Sequence, residues 1–384
     1  VIDDVALEDF RNTVRRLARQ QLLDGYLARA TSSDYPRDTL RLLGASGLLG
    51  LLVPEERGGQ GAGAVALGIA CEELCYADVA CGYQVFGNNV FADLLARLGS
   101  GEVCRQWLRP VIDGEVVTAV ALTEPETGSD AQALSTRADR GDGGWTLTGE
   151  KTSVTQAPHA DVALIMARET DTHRISAFVV PLDQPGISRQ RFADPGFRPI
   201  GRGSIALDGV FVPESHRLGS GGDGFGLLMN EFDLSRTLIA FMAVGVAQRA
   251  IDLTVEHVRT RRAFGKTLSR FQGVSFPIAE HLTYLAAVRA LGYQALRDRQ
   301  AGRPHTVEAA MLKWWAPQVA FQAVQDCIVL HGHVGWSDEM PLQALLRDVS
   351  GFQIGDGTPQ IQKLIIARHA IGPEVMDREP GRTE

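Results

Sequence analysis

Three textures follow one another along the chain. At the start, apolar positions recur at the helical period, with Leu7, Phe10, Val14 and Leu17 falling on one face. "DTLRLLGASGLLGLLVP" continues the pattern and closes at Gly and Pro. "GAVALGIACEELCYADVACGYQVFGNNVFADLLARLG" is so uniformly small and apolar that it belongs in a helical core. Near Thr118 the period shortens. "GGWTLTGEKTSVTQ", "ADVALIMAR", "RISAFVVPLD" and "GSIALDGVFVP" are short, β-rich and bounded by turn residues. Trp145, Thr146, Leu147 and Thr148 alternate as a half-buried strand does, and Pro181, Pro195 and Pro213 fall where edges and turns tolerate them. After the glycine-rich "GSGGDGFG" (219–226), long helical patterns return. Several are apolar on more than one face, as in a bundle that also makes a subunit interface.

This α, β, α order predicts an α+β multidomain chain. An N-terminal α-helical domain is expected over 1–117, a small β-barrel or sandwich over 118–222, and a C-terminal helical bundle over 223–384. The 384 residues exceed one ordinary core, which agrees with several domains. Hydrophobics at 45% and charges at 22% describe a globular chain. A net charge of -8 gives no basic footprint for nucleic acid. No run reads as a membrane span, and "VIDDVALEDF" lacks the basic and apolar regions of a signal peptide. The five cysteines make an odd set without zinc-like pairs. Cys71 and Cys75 share a helix face, as buried thiols of a reducing compartment do, so a cytoplasmic location is expected.

Candidate chemistry sits in a few polar stretches. In "ALTEPETGSDAQAL" (121–134), hydroxyls and backbone amides crowd a glycine-containing turn that is either an ordinary loop or a cradle for a phosphate or flavin edge. "RTRRAFGKTLSRFQ" (259–272) gathers five basic residues around Phe264 and Gly265. They either complement a helix dipole or fork onto a pyrophosphate. The histidines of "HGHVGW" (331–336) lack further ligands in a metal-like pattern, so no metal site is expected. "GGDGFG" has no βαβ unit around it and is not a dinucleotide loop. In "QIGDGTPQIQK" (353–363), Thr358 and Pro359 read as N-cap and first helical position. Asp356 is therefore not needed as the cap. Read locally, it favours a turn, with a catalytic base as the alternative.

In order, "TEPETGSD", "GEKTSVT", "RRAFGKTLSRFQ" and "LLRDVSGFQIGDGTPQIQ" resemble the acyl-CoA dehydrogenase flavoprotein family over essentially the whole chain. That resemblance implies a C-terminal four-helix bundle and an FAD extended between the middle domain and the C-terminal helices. Leu122, Thr123, Ser129 and Thr155 match flavin-binding positions. Arg261, Phe264 and Gln272 match positions that reach a neighbouring subunit's FAD, and Thr358 and Gln360 complete the set. Ser129, Asp233 and Arg236 match positions that hold the acyl-CoA. It also implies a homo-oligomer, here expected to be a tetramer, and electron-transfer flavoprotein as the acceptor.

The family's base is usually the Glu of an E-G-T motif, and Asp356 stands there in D-G-T. Ser235 occupies the other known base position and cannot serve. Asp356 is then the base that removes the α-proton of a thioester, a weak acid that needs a polarised carbonyl and a desolvated carboxylate. "HTVEAAMLKWWAPQVAFQ", "HGHVGW" and "IGDGTPQIQK" are similar to the subgroup that acts on cyclohexanecarboxyl-CoA. Two departures stand out: Ser153 where the family often has Trp beside the flavin, and Val329 where an amide reaches the adenine. The rival readings are a nitroalkane-type oxidase, a dehydrogenase of carrier-bound acyl groups, and a silent acyl-CoA-binding scaffold.

Overall fold

A computed structural model of the chain describes residues 4–219, 224–372 and 375. Two compact units result, Val1–Glu231 and Phe232–Glu384. The expected glycine-rich connection lies, in its residues 220–223, outside the described residues, and so does the expected boundary at 222/223.

The first unit opens with helices α1 (Asp4–Leu17), α2 (Arg37–Ala45), α3 (Gly63–Ala77) and α4 (Val79–Leu98). The small apolar residues of α3 and α4 are buried nearly all round, and Cys71 and Cys75 are buried with them. Asp78 separates the two helices. Its extended backbone stops α3 while its carboxylate accepts from the amides of Ala80 (2.8 Å) and Cys81 (3.4 Å), capping α4. Arg29, 2.5 Å away, balances the buried charge.

The strands that follow are β1 (Thr118–Ala121), β2 (Arg137–Gly141), β3 (Gly144–Thr155), β4 (Val162–Glu169), β5 (Ile175–Pro181), β6 (Ile187–Arg191) and β7 (Arg202–Pro213). They form one seven-stranded sheet in the order β1-β4-β2-β3-β7-β6, with β5 also on β4. β4 pairs with β5 from Val162 to Arg168; on its other side β1 pairs with Val162–Ile165, and Arg168 and Glu169 pair there with Arg137 and Ala138 of β2. That change of partner curls the sheet. "VALIMARE" is buried on both faces and, as an inner strand, on both edges as well. "ISRQR" of β6 exposes its middle residues at the sheet edge, where charge discourages further pairing.

Helix α5 (Gly224–Thr260) leads from the first unit into the second, followed by the short hairpin β8 (Arg262–Ala263) and β9 (Lys266–Thr267). Then come α6 (Gln272–Gln300), α7 (Thr306–His331), α8 (Pro341–Gly351) and α9 (Pro359–Ile371). Helix α7 packs against α6, α8 and α9. Helices α5 and α6 meet closely: Phe241 lies 4.9 Å from the Tyr293 ring, and a Cβ at Gly292 would fall 2.8 Å from Phe241. By length and composition α5 could cross a membrane, which the sequence reading did not anticipate. Its apolar window is 78% buried inside the protein, as in the core helix of a bundle.

Candidate active site

The turn between α8 and α9 carries Asp356. Helix α8 ends at Gly351 with Phe352 as its C-cap, and α9 begins at Pro359 with Thr358 at the N-cap position. Between them Asp356 takes φ +56° and Gly357 φ +94°. Aspartate is one of the few side chains that tolerates the left-handed region. Gly357 is needed twice over, because a Cβ there would also lie 2.5 Å from the Gln362 amide nitrogen. That buried amide donates to the carbonyls of Asp356 (3.2 Å) and Gly357 (3.1 Å). Arg236 Nε donates to the Asp356 carbonyl at 3.3 Å. Lys313, wholly buried on α7, donates to the carbonyls of Phe352 (2.8 Å) and Gly357 (3.3 Å). The side chain is held as well: Ser235 Oγ on α5 donates to Asp356 Oδ2 at 2.5 Å. The turn reading and the base reading thus coincide in one half-buried residue.

Asp233 and Arg236, one helical turn apart on α5, are both buried and face each other at 3.1 Å. Asp233 also accepts from Thr306 Oγ1 at 2.5 Å. Both carboxylate oxygens of Asp233 and the Nε and Nη1 atoms of Arg236 are thus bonded inside the second unit, next to the Asp356 turn. Burial pulls the Lys313 ammonium down to about 8; the charge of Asp356 opposes that shift and Arg236 adds to it.

In the first unit, β1 runs into the 122–136 segment, and a second buried lysine fixes it. Lys151 on β3 donates to the Leu122 carbonyl (3.0 Å) and to Glu124 Oε1 (2.7 Å). Glu124 accepts further from Ser135 N (2.5 Å), Ser135 Oγ (2.7 Å) and Thr136 N (2.8 Å). Burial alone would raise the Glu124 carboxyl, and these donors outweigh it, holding the group at about 2. Burial lowers Lys151 to about 8 against the pull of Glu124. Thr152 N donates to the Thr123 carbonyl at 2.8 Å.

The base of the segment is therefore tight and its tip is open. A Cβ at Gly128 would meet nothing within 4 Å, Ser129 is exposed, and the buried Thr127 hydroxyl has no hydrogen-bond partner. Leu122 is buried, and Thr123 and Thr155 are half-buried. A buried hydroxyl awaiting a partner beside an open glycine suits a ligand rich in acceptors, as a flavin nucleotide is. The second unit offers a complementary opening. The Thr358 hydroxyl makes no capping bond, Gln360 is exposed, and Gln362 Oε1, an acceptor that calls for a donor, is buried without a partner.

The remaining expected positions group elsewhere. Arg261, Phe264 and Gln272 are all exposed around the β8–β9 hairpin, with Phe264 96% exposed at its tip. Ser153 sits in a β3 irregularity at φ +56°, and its hydroxyl accepts from Arg202 (2.9 Å), itself held by Asp194. Val329 is exposed. His331 is buried and stacked on His257 at 4.3 Å, while His333 is exposed. Lys313, Lys151 and Gln362 were absent from the sequence-based set. The available signal was a lysine or amide standing at a position where the surrounding period calls for an apolar residue.

Three family models match the chain in order: acyl-CoA dehydrogenase N-terminal domain over 6–115, middle domain over 119–210 and C-terminal domain over 222–371. The chain is 33% identical over 361 residues to benzylmalonyl-CoA dehydrogenase of Aromatoleum aromaticum, covering 93% of this chain and 96% of that one. It is also 33% identical over 365 residues to the caffeyl-CoA reductase-Etf complex subunit CarC of Acetobacterium woodii, covering 93% and 96%. A glutaryl-CoA dehydrogenase of Mycobacterium smegmatis in complex with FADH2 superposes with TM-score 0.91 at 26% identity, covering 96% of this chain and 95% of that one. The chain belongs to the acyl-CoA dehydrogenase family. It is an FAD-dependent oxidoreductase that dehydrogenates an acyl-CoA.

Proposed function

We propose that Asp356 is the base of this dehydrogenation and that the acyl group is short and branched or alicyclic, of the cyclohexanecarboxyl type. The observation that carries the reading is the 2.5 Å hydrogen bond from Ser235 to Asp356 Oδ2. It aims the carboxylate and leaves Oδ1 to take the α-proton of the thioester. FAD, when bound, supplies the acceptor for the hydrogen and electron pair that leave the β-carbon. Leu122, Thr123, Ser129 and Thr155 are assigned to it from the first unit. Thr358 and Gln360 are assigned from the second, and Arg261, Phe264 and Gln272 to the FAD of a neighbouring chain. Ser129, Asp233 and Arg236 are assigned to the acyl-CoA in this reading, and Arg236 also braces the carbonyl of Asp356.

The substrate follows from reach. Aspartate is one methylene shorter than glutamate, so its carboxylate is set back by about 1.5 Å. Misplacement on that scale is costly unless the substrate fills the gap. A ring attached at the α-carbon does so, and a relative is named for benzylmalonyl-CoA, an acyl group that carries a ring. Electron-transfer flavoprotein is the acceptor we favour, supported by the relative named as part of an Etf complex. A homotetramer is supported by apolar side chains exposed on α6, α7 and α9, among them Phe276, Tyr284, Met311 and Ile371; a sedimentation mass of one chain would refute it. Five cysteines, none of them in a disulfide, support the cytoplasm.

The test is anaerobic bleaching of the yellow protein across an acyl-CoA panel. Cyclohexanecarboxyl-CoA should reduce it faster than butyryl-CoA or octanoyl-CoA, and the reverse order removes the ring from the proposal. The reduced protein should then hand its electrons to electron-transfer flavoprotein faster than to oxygen; an oxygen preference would point to the oxidase reading.

A further inference from the structure

Lys313 is a positive charge stored where the helix pattern calls for an apolar residue. On α7 it shares a stripe with Ala309, Ala316 and Ala320, all buried, and it is itself 0% exposed. Burying an ammonium is expensive, and an apolar side chain of similar volume would fill the same space without that penalty. The charge is directed at backbone: the carbonyls of Phe352 and Gly357, 2.8 and 3.3 Å from Nζ. One lies four residues before Asp356 and the other directly after it. The Phe352 carbonyl is also at the C-terminal end of α8, where a cation is favoured.

We propose that Lys313 is a positioning residue for Asp356, its ammonium clamping the two carbonyls that bracket the acid so that the carboxylate stays aimed. The inference rests on Asp356 being the base. The left-handed backbone at Asp356 is the conformation under strain, since most side chains leave that region when free to do so. Arg236 and Gln362 hold the carbonyl of Asp356 itself, and Lys313 joins the start of the turn to its end. Release of either end lets φ relax toward the right-handed region, which swings the carboxylate away from Ser235. Its effect on substrate passes entirely through the acid, so it belongs to the turnover step and not to thioester binding.

The experiment compares the wild-type holoenzyme with Lys313→Met, Lys313→Gln and Asp356→Asn. It uses the acyl-CoA that reduces the wild type fastest. For Lys313→Met the limiting rate of flavin reduction should fall about 100-fold. The thioester dissociation constant should stay within about threefold of wild type, and the thermal midpoint should hold or rise because a buried charge is gone. Lys313→Gln keeps a donor for one carbonyl and should fall between the two; it carries the comparison if Lys313→Met does not fold. Wild-type reduction rates in the folded variants would overturn the proposal. So would a rate loss matched by equal losses of stability and thioester affinity, since that marks a structural residue. A wild type that no thioester bleaches, or an Asp356→Asn that bleaches normally, would instead remove the base assignment, and the inference with it.

Discussion

Each unit contains one fully buried lysine, and the two are used differently. Lys151 reaches a backbone carbonyl, that of Leu122, and also a carboxylate of its own, Glu124, at 2.7 Å. Lys313 reaches two backbone carbonyls, and the negative charge that acts on it is Asp356, the acid it holds in place. The first arrangement is closed. Glu124 has donors on both oxygens and sits at about 2, so its carboxylate stays ionised at neutral pH and holds the Lys151 ammonium, lowered by burial to about 8, in a fixed pair. The second leaves its counter-charge to a residue that must accept a proton and give it up again. A scaffold turn takes the closed form, and a turn that carries chemistry takes the open one.

The largest effect expected comes from removing the acid of the open arrangement. Asp356→Asn keeps the shape and the Ser235 contact but has no carboxylate, and general-base catalysis is worth about 10²–10⁴-fold. Flavin reduction by the preferred acyl-CoA should fall by that factor while the protein remains yellow and binds the thioester. Retained activity would show that the open turn is only structural.

The closed arrangement breaks in another way. Glu124→Gln strands the Lys151 ammonium in the interior, and losing one partner of a buried pair costs about 3–5 kcal/mol. The deficit should appear in the urea midpoint and in loss of FAD, with little separate effect on the chemical step of what remains folded. Its pH dependence has a definite sign. Burial lowers the Lys151 pKa in the folded state, to about 8 even with Glu124 present, so the unfolded chain keeps this proton to higher pH. Stability must then rise with pH across the window between the folded value and the ordinary 10.5. In Glu124→Gln the folded value drops further, and the recovery should start below pH 8. A deficit independent of pH would mean that Lys151 is not what the carboxylate supports.

Which of these features could be read from the sequence depends on whether they are written in side-chain periods. The strands were readable because Trp145 and Leu147 alternate with Thr146 and Thr148. Their gathering into a small barrel or sandwich was expected too, but the strand order was not, because it hangs on the last two residues of β4 gaining β2 as a partner, a long-range event with no local signal. Thr358 and Pro359 marked the start of α9, and the D-G-T stretch marked the acid. Lys313 and Lys151 were not singled out: their place in apolar periods was a trace, but the main-chain carbonyls they reach leave no mark in the residue pattern. Asp233 and Arg236 matched acyl-CoA-holding positions through the family resemblance. Their spacing of three on one helix equally suits an internal pair, and in the folded chain they are bonded to each other and to Thr306 and the Asp356 turn.

The smallest effect separates the two ways in which the open turn is held. Ser235→Ala deletes the hydrogen bond to the Asp356 side chain and touches none of the bonds to its backbone. A hydrogen bond to a charged acceptor contributes about 1.5–3 kcal/mol when nothing replaces it. Asp356 is only half-buried, so water can take the place of the hydroxyl and much of that loss is recovered. The limiting rate of flavin reduction should therefore fall roughly three- to tenfold, clearly less than for Lys313→Met. If Ser235→Ala proved the more damaging of the two, aim would come from the side-chain contact and the carbonyl clamp would be secondary. The contrast between the closed and open lysines would then describe packing and not catalysis.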